Sequence, residues 1–296
     1  MNVRLLVLFV LSLSLDQVLA KPLCKLGEYH SEYTKKCEKS VLQIGLGDKI
    51  ESLDLAQLKR RFSVQSLVVT RPPTDKDKKG SKERFIGIRL SDLLTSLLPK
   101  GQSLEDYVLS ATCLDGFDPV MDQEILSKMK SVDALVAFRQ VTSKGAKISP
   151  DGLWEMVQAP WGLTSPGPFY LVWARPDLVD WRGWPFQLKS MRLIRKRDYQ
   201  EMLDKLKPAA SELGYDQFRG KCIICHKVNG VGGDKARVDL LGLFKDQDPN
   251  SAFEYLSTVI RNPPDGMKDI LDVKFKPAEI RALSDYLHHM ATRYEK

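Results

Sequence analysis

Histidine is scarce in this chain, with four in 296 residues, and only His30 lies upstream of residue 200. A site that needs several histidines therefore has no material in the first two-thirds of the sequence. Beyond the N-terminus no apolar run is long enough to cross a bilayer, so the body of the chain offers no membrane span. No repeat of about 20–50 residues is present, and no long compositionally biased tract interrupts a globular balance of 43% hydrophobic and 28% charged residues. Basic stretches interleaved with aromatics, the signature of nucleic-acid binding, are absent too. Acidic residues fall short of basic ones, 38 against 45, for a formal charge of +7. That excess is local. From Glu201 onward 15 Lys and Arg face 15 Asp and Glu, and the first twenty residues carry only Arg4 and Asp16, so the surplus lies between Lys21 and Gln200. Much of it sits in loops such as RPPTDKDKKGSKER, Arg71 to Arg84. A mildly basic face suits an acidic protein partner or an anionic ligand.

The N-terminus is the apolar exception. MNVRLLVLFVLSLSLDQVLA has one early arginine, an apolar run from Leu5 to Leu15, and Val18-Leu19-Ala20 at its end. Residues 1–20 read as a cleaved secretory signal; the alternative is an uncleaved anchor, although the run is about half the usual spanning length. The residues before Cys24 do not form a lipidation site. The expectation is an exported protein, periplasmic or otherwise, with no transmembrane segment after cleavage.

Five cysteines then meet an oxidising compartment: Cys24, Cys37, Cys113, Cys222 and Cys225. Cys24 and Cys37 bracket a short polar stretch within residues 21–40, and their proximity makes them candidates for a disulfide loop. Cys113 is then single, and a lone cysteine is more often a buried hydrophobe than a reactive group.

From Val41 to Gln200 the chain alternates β-rich runs with helical ones. SVQSLVVT, DYVLSATC, ALVAFRQ, FYLVWAR and LKSMRLI read as strands, and Leu90–Leu98 reads as a short amphipathic helix. The expectation for 41–200 is an α+β domain with a mixed sheet. From 201 to 296 the pattern turns helical. DYQEMLDKLKPAASELGYDQFRGK is interrupted by Pro208, and SAFEYLSTVIRN stops at Pro263-Pro264. The last segment starts with Pro277 in a favourable first-turn position and places Ile280, Leu283, Leu287 and Met290 on one face. A small all-α domain is expected there.

The chemistry concentrates in KCIICHKVNGVGG, Lys221 to Gly233. Cys-x-x-Cys-His is the attachment signal for haem c. Two thiols one helical turn apart can reach the two vinyl groups on one haem edge, and the adjacent histidine projects toward the iron. A zinc site would need a second ligand pair, and none is near. His288 and His289 are adjacent on the last helix and badly spaced to close a four-ligand cage. A thioredoxin-type dithiol wants a preceding strand and a βαβ frame, whereas the flanks here are helical.

The surroundings of this motif resemble the class I c-type cytochromes over roughly Ala209 to the end. Gly214 and Phe218 precede Cys222 by eight and four residues, GVGG follows the histidine, and IRNPPDGM and then a final helix with Tyr286-Leu287 complete the pattern. The resemblance implies one covalent haem c on Cys222 and Cys225, His226 as the first axial ligand, and first and last helices that cross through Gly214, Phe218 and Tyr286. It also implies a methionine as sixth ligand, for which Met267 is the best placed; it departs from the pattern because Lys268, not proline, follows it. Met290, Met202, His288 and His289 are the rival positions.

A second resemblance covers roughly residues 45–195. Gly87, Leu90, Leu93 and Leu94, then Asp115-Gly116-Phe117, then Leu135, Ala137 and Phe138 are similar to the sulfite-oxidase-type molybdopterin-binding fold. That family's molybdenum-ligating cysteine precedes its G-x-x-L-x-x-L-L helix, whereas Cys113 follows it here, and no pterin-binding histidine cluster is evident. The domain is therefore read as the fold without molybdenum. Trp154, Trp161, Trp173, Trp181 and Trp184 cluster in this part and read as sheet packing, with a ligand groove or interface as the alternative.

Together these readings predict an exported monohaem c-type cytochrome that performs one-electron transfer, with a non-catalytic upstream domain that docks a redox partner protein. It is an electron carrier rather than an enzyme in this reading. The alternatives are a molybdenum oxidoreductase with a built-in haem relay through Cys113, and a haem-based sensor with an open sixth position.

Overall fold

The structure is a computed structural model that describes residues 24–25, 27–71, 81–159, 162–179, 181–207, 211–264, 267 and 275–294. The apolar N-terminal segment, most of the charged loop after Arg71, Trp161, Pro208 and Asp265, Gly266 and Lys268 around Met267 lie outside the described residues.

The fold is mixed α and β. A hairpin of β1 (Glu28–His30) and β2 (Cys37–Lys39) opens it, tied by the Cys24–Cys37 disulfide across a Cα–Cα distance of 5.5 Å. Strands β3 (Val41–Leu46) and β4 (Lys49–Asp54) form a second hairpin that feeds α1 (Leu55–Arg61). A capping box starts that helix. Asp54 accepts from the Gln57 backbone N–H, and the Gln57 side chain accepts from the Asp54 N–H, both at 2.8 Å. Then come β5 (Val64–Arg71), β6 (Ser81–Arg89), α2 (Leu90–Leu97), β7 (Tyr107–Cys113), β8 (Val120–Met121), α3 (Gln123–Leu126) and β9 (Ala134–Val141). After these follow β10 (Val157–Ala159), β11 (Gly162–Thr164), β12 (Tyr170–Trp173) and β13 (Leu188–Arg195).

These strands build two larger sheets, not one. An antiparallel sheet runs in the order β12-β9-β6-β5, and a second runs β4-β3-β13-β7-β8 with β13 parallel to β3. The second sheet is mixed, as the sequence suggests. One core fills the space between the sheets and α1 and α2, with Leu42, Ile44, Leu58, Leu90, Leu93, Leu109, Met191 and Trp173 all buried. Gly87 belongs to β6 rather than to the start of α2. A Cβ there would lie 2.3 Å from the Val136 carbonyl oxygen, so only glycine admits β9 at that distance.

The helical part begins at Lys196, two residues before the helical pattern read from Asp198. It comprises α4 (Lys196–Asp204), α5 (Glu212–Gln217), a π-turn (Phe218–Cys222), a hairpin of β14 (Lys227–Val228) and β15 (Val231–Gly232), α6 (Leu240–Phe244), α7 (Pro249–Arg261) and α8 (Pro277–Arg293). The small hairpin makes this part not purely helical. Asp248 caps α7 by accepting from the Asn250 and Ser251 N–H groups, with Pro249 in the first turn, and the helix ends at Asn262 before the double proline. Ile280, Leu283, Leu287 and Met290 on α8 are all buried in a core of their own with Phe218, Phe244 and Tyr286. Helices α5 and α8 cross where Gly214 meets α8: a Cβ at 214 would stand 2.0 Å from the Ala282 carbonyl oxygen. Phe218 and Tyr215 flank the crossing, with ring centroids 5.7 and 6.1 Å from that of Tyr286.

Candidate functional site

The site grows from the chain reversal at the end of the π-turn. Backbone N–H groups of Cys225 and His226 donate to the Cys222 carbonyl at 3.1 and 2.9 Å. One turn of backbone thus holds both thiols and the imidazole together. Cys222 and Cys225 are free and half-buried. Burial pushes the Cys222 thiol up to about 12 and the Cys225 thiol up to about 11. Both are neutral at physiological pH, the reverse of the lowered thiol that a nucleophilic redox dithiol needs. Burial also pushes the His226 imidazole below its ordinary value, which keeps it neutral and a competent iron ligand.

The glycines after the histidine have a steric reason. Asn229 and Gly230, with φ of 49° and 74°, make the tight turn of the β14–β15 hairpin. The chain then folds back onto the Cys-x-x-Cys-His backbone, and the Gly233 N–H donates to the Ile223 carbonyl at 2.7 Å. A Cβ at Gly232 would lie 2.3 Å from the His226 carbonyl oxygen, and one at Gly233 2.1 Å from that of Ile224. No larger residue fits this return.

The sheet part reaches the same segment, which sequence reasoning missed. The turn Asp115-Gly116-Phe117, after β7, lies against it. The Asp118 N–H donates to the Ile224 carbonyl at 2.9 Å, and the Asp234 N–H to the Gly116 carbonyl at 2.8 Å. Lys235 pairs with Asp115 at 2.8 Å, with side chains 18% and 15% exposed. Gly116 has φ of 85°, and a Cβ there would meet the Asp234 backbone at 2.5 Å. No signal in the sequence announces the pairing of Asp115 with Lys235, which are 120 residues apart.

Cys113 is 3% exposed and packs in the sheet core. Burial drives its thiol well above the ordinary value. Its N–H donates to the Phe117 carbonyl at 2.8 Å, and its own carbonyl accepts from Gly116, so its backbone anchors the docking turn. Trp154 and Trp173 are fully buried in the two sheet cores, and Trp184 is half-buried against them. Met290 is core, as its seam position suggests. His288 Nε2 lies 2.9 Å from the Gln247 carbonyl.

The structure brings Cys222, Cys225 and His226 together. It sets Met267 in a separate turn, half-buried, with its N–H donating to the Pro264 carbonyl at 3.0 Å. Among the described residues no group of three or more His, Cys, Asp or Glu side chains could hold a metal ion.

The donor set fits haem c. Two neutral thiols sit one turn apart, beside a neutral imidazole whose Nδ1 is buried without a partner among the described residues. Gln217 Oε1, Ser257 Oγ, Ser284 Oγ and the Tyr286 hydroxyl in the same helical part are buried and unpaired among the described residues. Burial first, and nearby Cys222 among lesser causes, disfavours ionisation of the Tyr286 hydroxyl. When the whole chain is compared with known proteins, no family model matches it, and no curated protein does either.

Proposed function

We propose that this chain is an exported monohaem c-type cytochrome that carries single electrons, and that its sheet part docks a redox partner protein. In this reading Cys222 and Cys225 would hold haem c covalently, and His226 and Met267 would supply its iron ligands. When bound, the group would supply reversible one-electron chemistry at its iron, with a methionine ligand favouring a higher reduction potential. The protein's own residues do the rest. The π-turn and the folded-back glycines hold the thiols and imidazole in one turn. The helical core excludes water, and the Asp115–Phe117 turn fixes the motif's backbone against the sheets.

The single observation that carries this reading is the Cys222–His226 turn, in which one turn of backbone holds two free thiols and an imidazole together. The Gly214 crossing of α5 with α8 supports a cytochrome-type helical part. The mixed sheet supports a sulfite-oxidase-like upstream fold, and the positive surplus between Lys21 and Gln200 favours an acidic partner. The buried Cys113 thiol, turned into the core, speaks for a structural role in a fold without molybdenum.

Iron and molybdenum counted in one sample test this directly. The protein should be made in an exporting, haem-maturing host supplied with molybdate. One iron and no molybdenum per chain is expected. One of each would make the protein a molybdenum oxidoreductase and Cys113 its prime ligand. No iron would overturn the haem reading.

A further inference from the structure

Between the sheet part and the helical part lies a cavity of about 320 Å³ that the electron-carrier reading does not use. Its sheet-side wall is the face of β7 and β13 opposite the core. Tyr107, Leu109, Ala111 and Cys113 point into the core, while Val108 and Ser110 point into the cavity. The cavity is therefore on the other side of the sheet from the Cys113 thiol. Its opposite wall includes Ile223 and Ile224, the two residues between the motif cysteines.

Charge in this cavity is lopsided. Arg192 and Arg219 reach it from the sheet part and the helical part, beside Arg182, which is itself engaged, and against Asp118 and Asp122. Both carboxylates are already engaged. One Asp118 oxygen accepts from the Ser110 and Thr112 hydroxyls at 2.8 and 3.2 Å, and Asp122 caps α3 by accepting from the Glu124 and Ile125 N–H groups. Arg192 lies near enough to Asp118 to be felt by it, yet neither Arg192 nor Arg219 forms an ion pair among the described residues. Among the described residues Arg219 makes only a ring contact, its Cζ 5.9 Å from the Tyr215 centroid. The hydroxyl of Tyr199, also on the wall, makes no hydrogen bond among the described residues. Burial raises the Asp118 carboxyl above its ordinary value.

Two guanidinium groups and a phenol thus face one partly open cavity with donors unspent among the described residues. Guanidinium forks match oxyanions in geometry and charge, and a volume near 300 Å³ is the low end of small-molecule sites. We propose that this junction cavity binds a small oxyanion-bearing molecule, gripped by Arg192 from the sheet part, Arg219 from the helical part and the Tyr199 hydroxyl. The ligand chemistry is a phosphate, sulfate or carboxylate group on a molecule no larger than a few carbons. Because the grip joins both parts, binding tightens the docking of the sheet turn on the Cys222–His226 segment. The proposal does not depend on what the cysteines carry.

Isothermal titration of the full-length mature protein with inorganic phosphate, sulfate and succinate tests it, with unfolding followed in parallel. At least one probe should bind at one site per chain, and the tightest names the source. Arg192→Gln and Arg219→Gln should each weaken that probe by about tenfold or more, the size expected for one lost charge-assisted hydrogen bond. Arg197→Gln, on the exposed face of α4, should change nothing. Arg219 is exposed, so its variant keeps the fold and decides the matter if Arg192→Gln is unstable. Equal affinity in Arg219→Gln and wild type, or no binding by any probe, would overturn the proposal. Haem content measured on the same sample separates this outcome from the fate of the cytochrome reading.

Discussion

The sheet part and the helical part close their interiors differently. In the sheet part the buried polar groups have found partners. Trp173 donates its indole N–H to the Gly183 carbonyl at 2.7 Å, Ser149 donates to Asp151 at 2.5 Å, and Gln187 donates to the Ser165 carbonyl at 2.9 Å. Trp154 Nε1 is the lone unpaired buried side-chain atom among the described residues before α4. In the helical part, little more than half as many described residues leave six with such an atom among the described residues: Gln217, His226, Gln247, Ser257, Ser284 and Tyr286. Native interiors pair such atoms, because an unmet buried donor or acceptor costs about 1–3 kcal/mol. The first interior, Trp154 Nε1 apart, is complete in its own side chains among the described residues. The second has the form expected of a core assembled around a further group, which is the role proposed for haem.

The comparison breaks or sharpens under substitution. The largest effect is expected from Cys222→Ala combined with Cys225→Ala. On the proposed reading the helical part loses its covalent anchor and with it most of its stability, on the order of 5 kcal/mol or more for a folded unit. The sheet part should keep its own. Amide hydrogen exchange should then show residues 211–294 unprotected and β6, β7, β9 and β13 protected. Equal protection in both would mean that the helical interior is self-sufficient.

Trp173→Ala strikes the complete interior. It removes a fully buried indole together with its hydrogen bond, and should cost about 3–5 kcal/mol. Urea unfolding followed by circular dichroism should show the sheet transition move and the helical one stay.

Gly214→Ala pushes a methyl into the α5–α8 crossing, where the Ala282 carbonyl lies 2.0 Å from the new Cβ. A loss of about 1–3 kcal/mol in the helical transition is expected. A neutral result would show that the crossing is looser than the described packing.

Lys235→Ala leaves Asp115 nearly buried without its partner and should cost about 1 kcal/mol, since the pair keeps some solvent. The distinctive sign is decoupling. Two unfolding transitions that overlap in the wild type should separate, because this pair and the two backbone bonds beside it join the parts. If the transitions already differ widely and do not move, the junction is not a coupling element.

How far the sequence announces this molecule varies with how local each feature is. Strands β5, β7, β9, β12 and β13 are legible as apolar, β-branched or aromatic runs and lie within about two residues of the expected places. So are α7 and α8, through their prolines and their periodic apolar faces. The β3–β4 hairpin was not legible. Its second strand is mostly exposed, and QIGLGDKIES lacks a clean alternation. Strand β6 was hidden because FIGIR runs straight into α2, so one apolar stretch holds two elements. The π-turn before Cys222 has no signature of its own. The Cys222–His226 constellation was legible because five consecutive residues carry it. Its contact with Asp115 and Gly116 was not, since that surface forms only when distant segments fold together. Met267 stands between these cases: its place after Pro263-Pro264 is a local signal, while its relation to His226 is a long-range one.

The central claim is a covalent haem on the Cys222–His226 turn. The direct measurement is the intact mass of the denatured mature chain, produced in an exporting, haem-maturing host. The account predicts a chain heavier by one haem that survives denaturation, with the added mass mapping to the peptide containing Cys222 and Cys225. A denatured chain at its bare polypeptide mass, with both thiols open to alkylation, would contradict it.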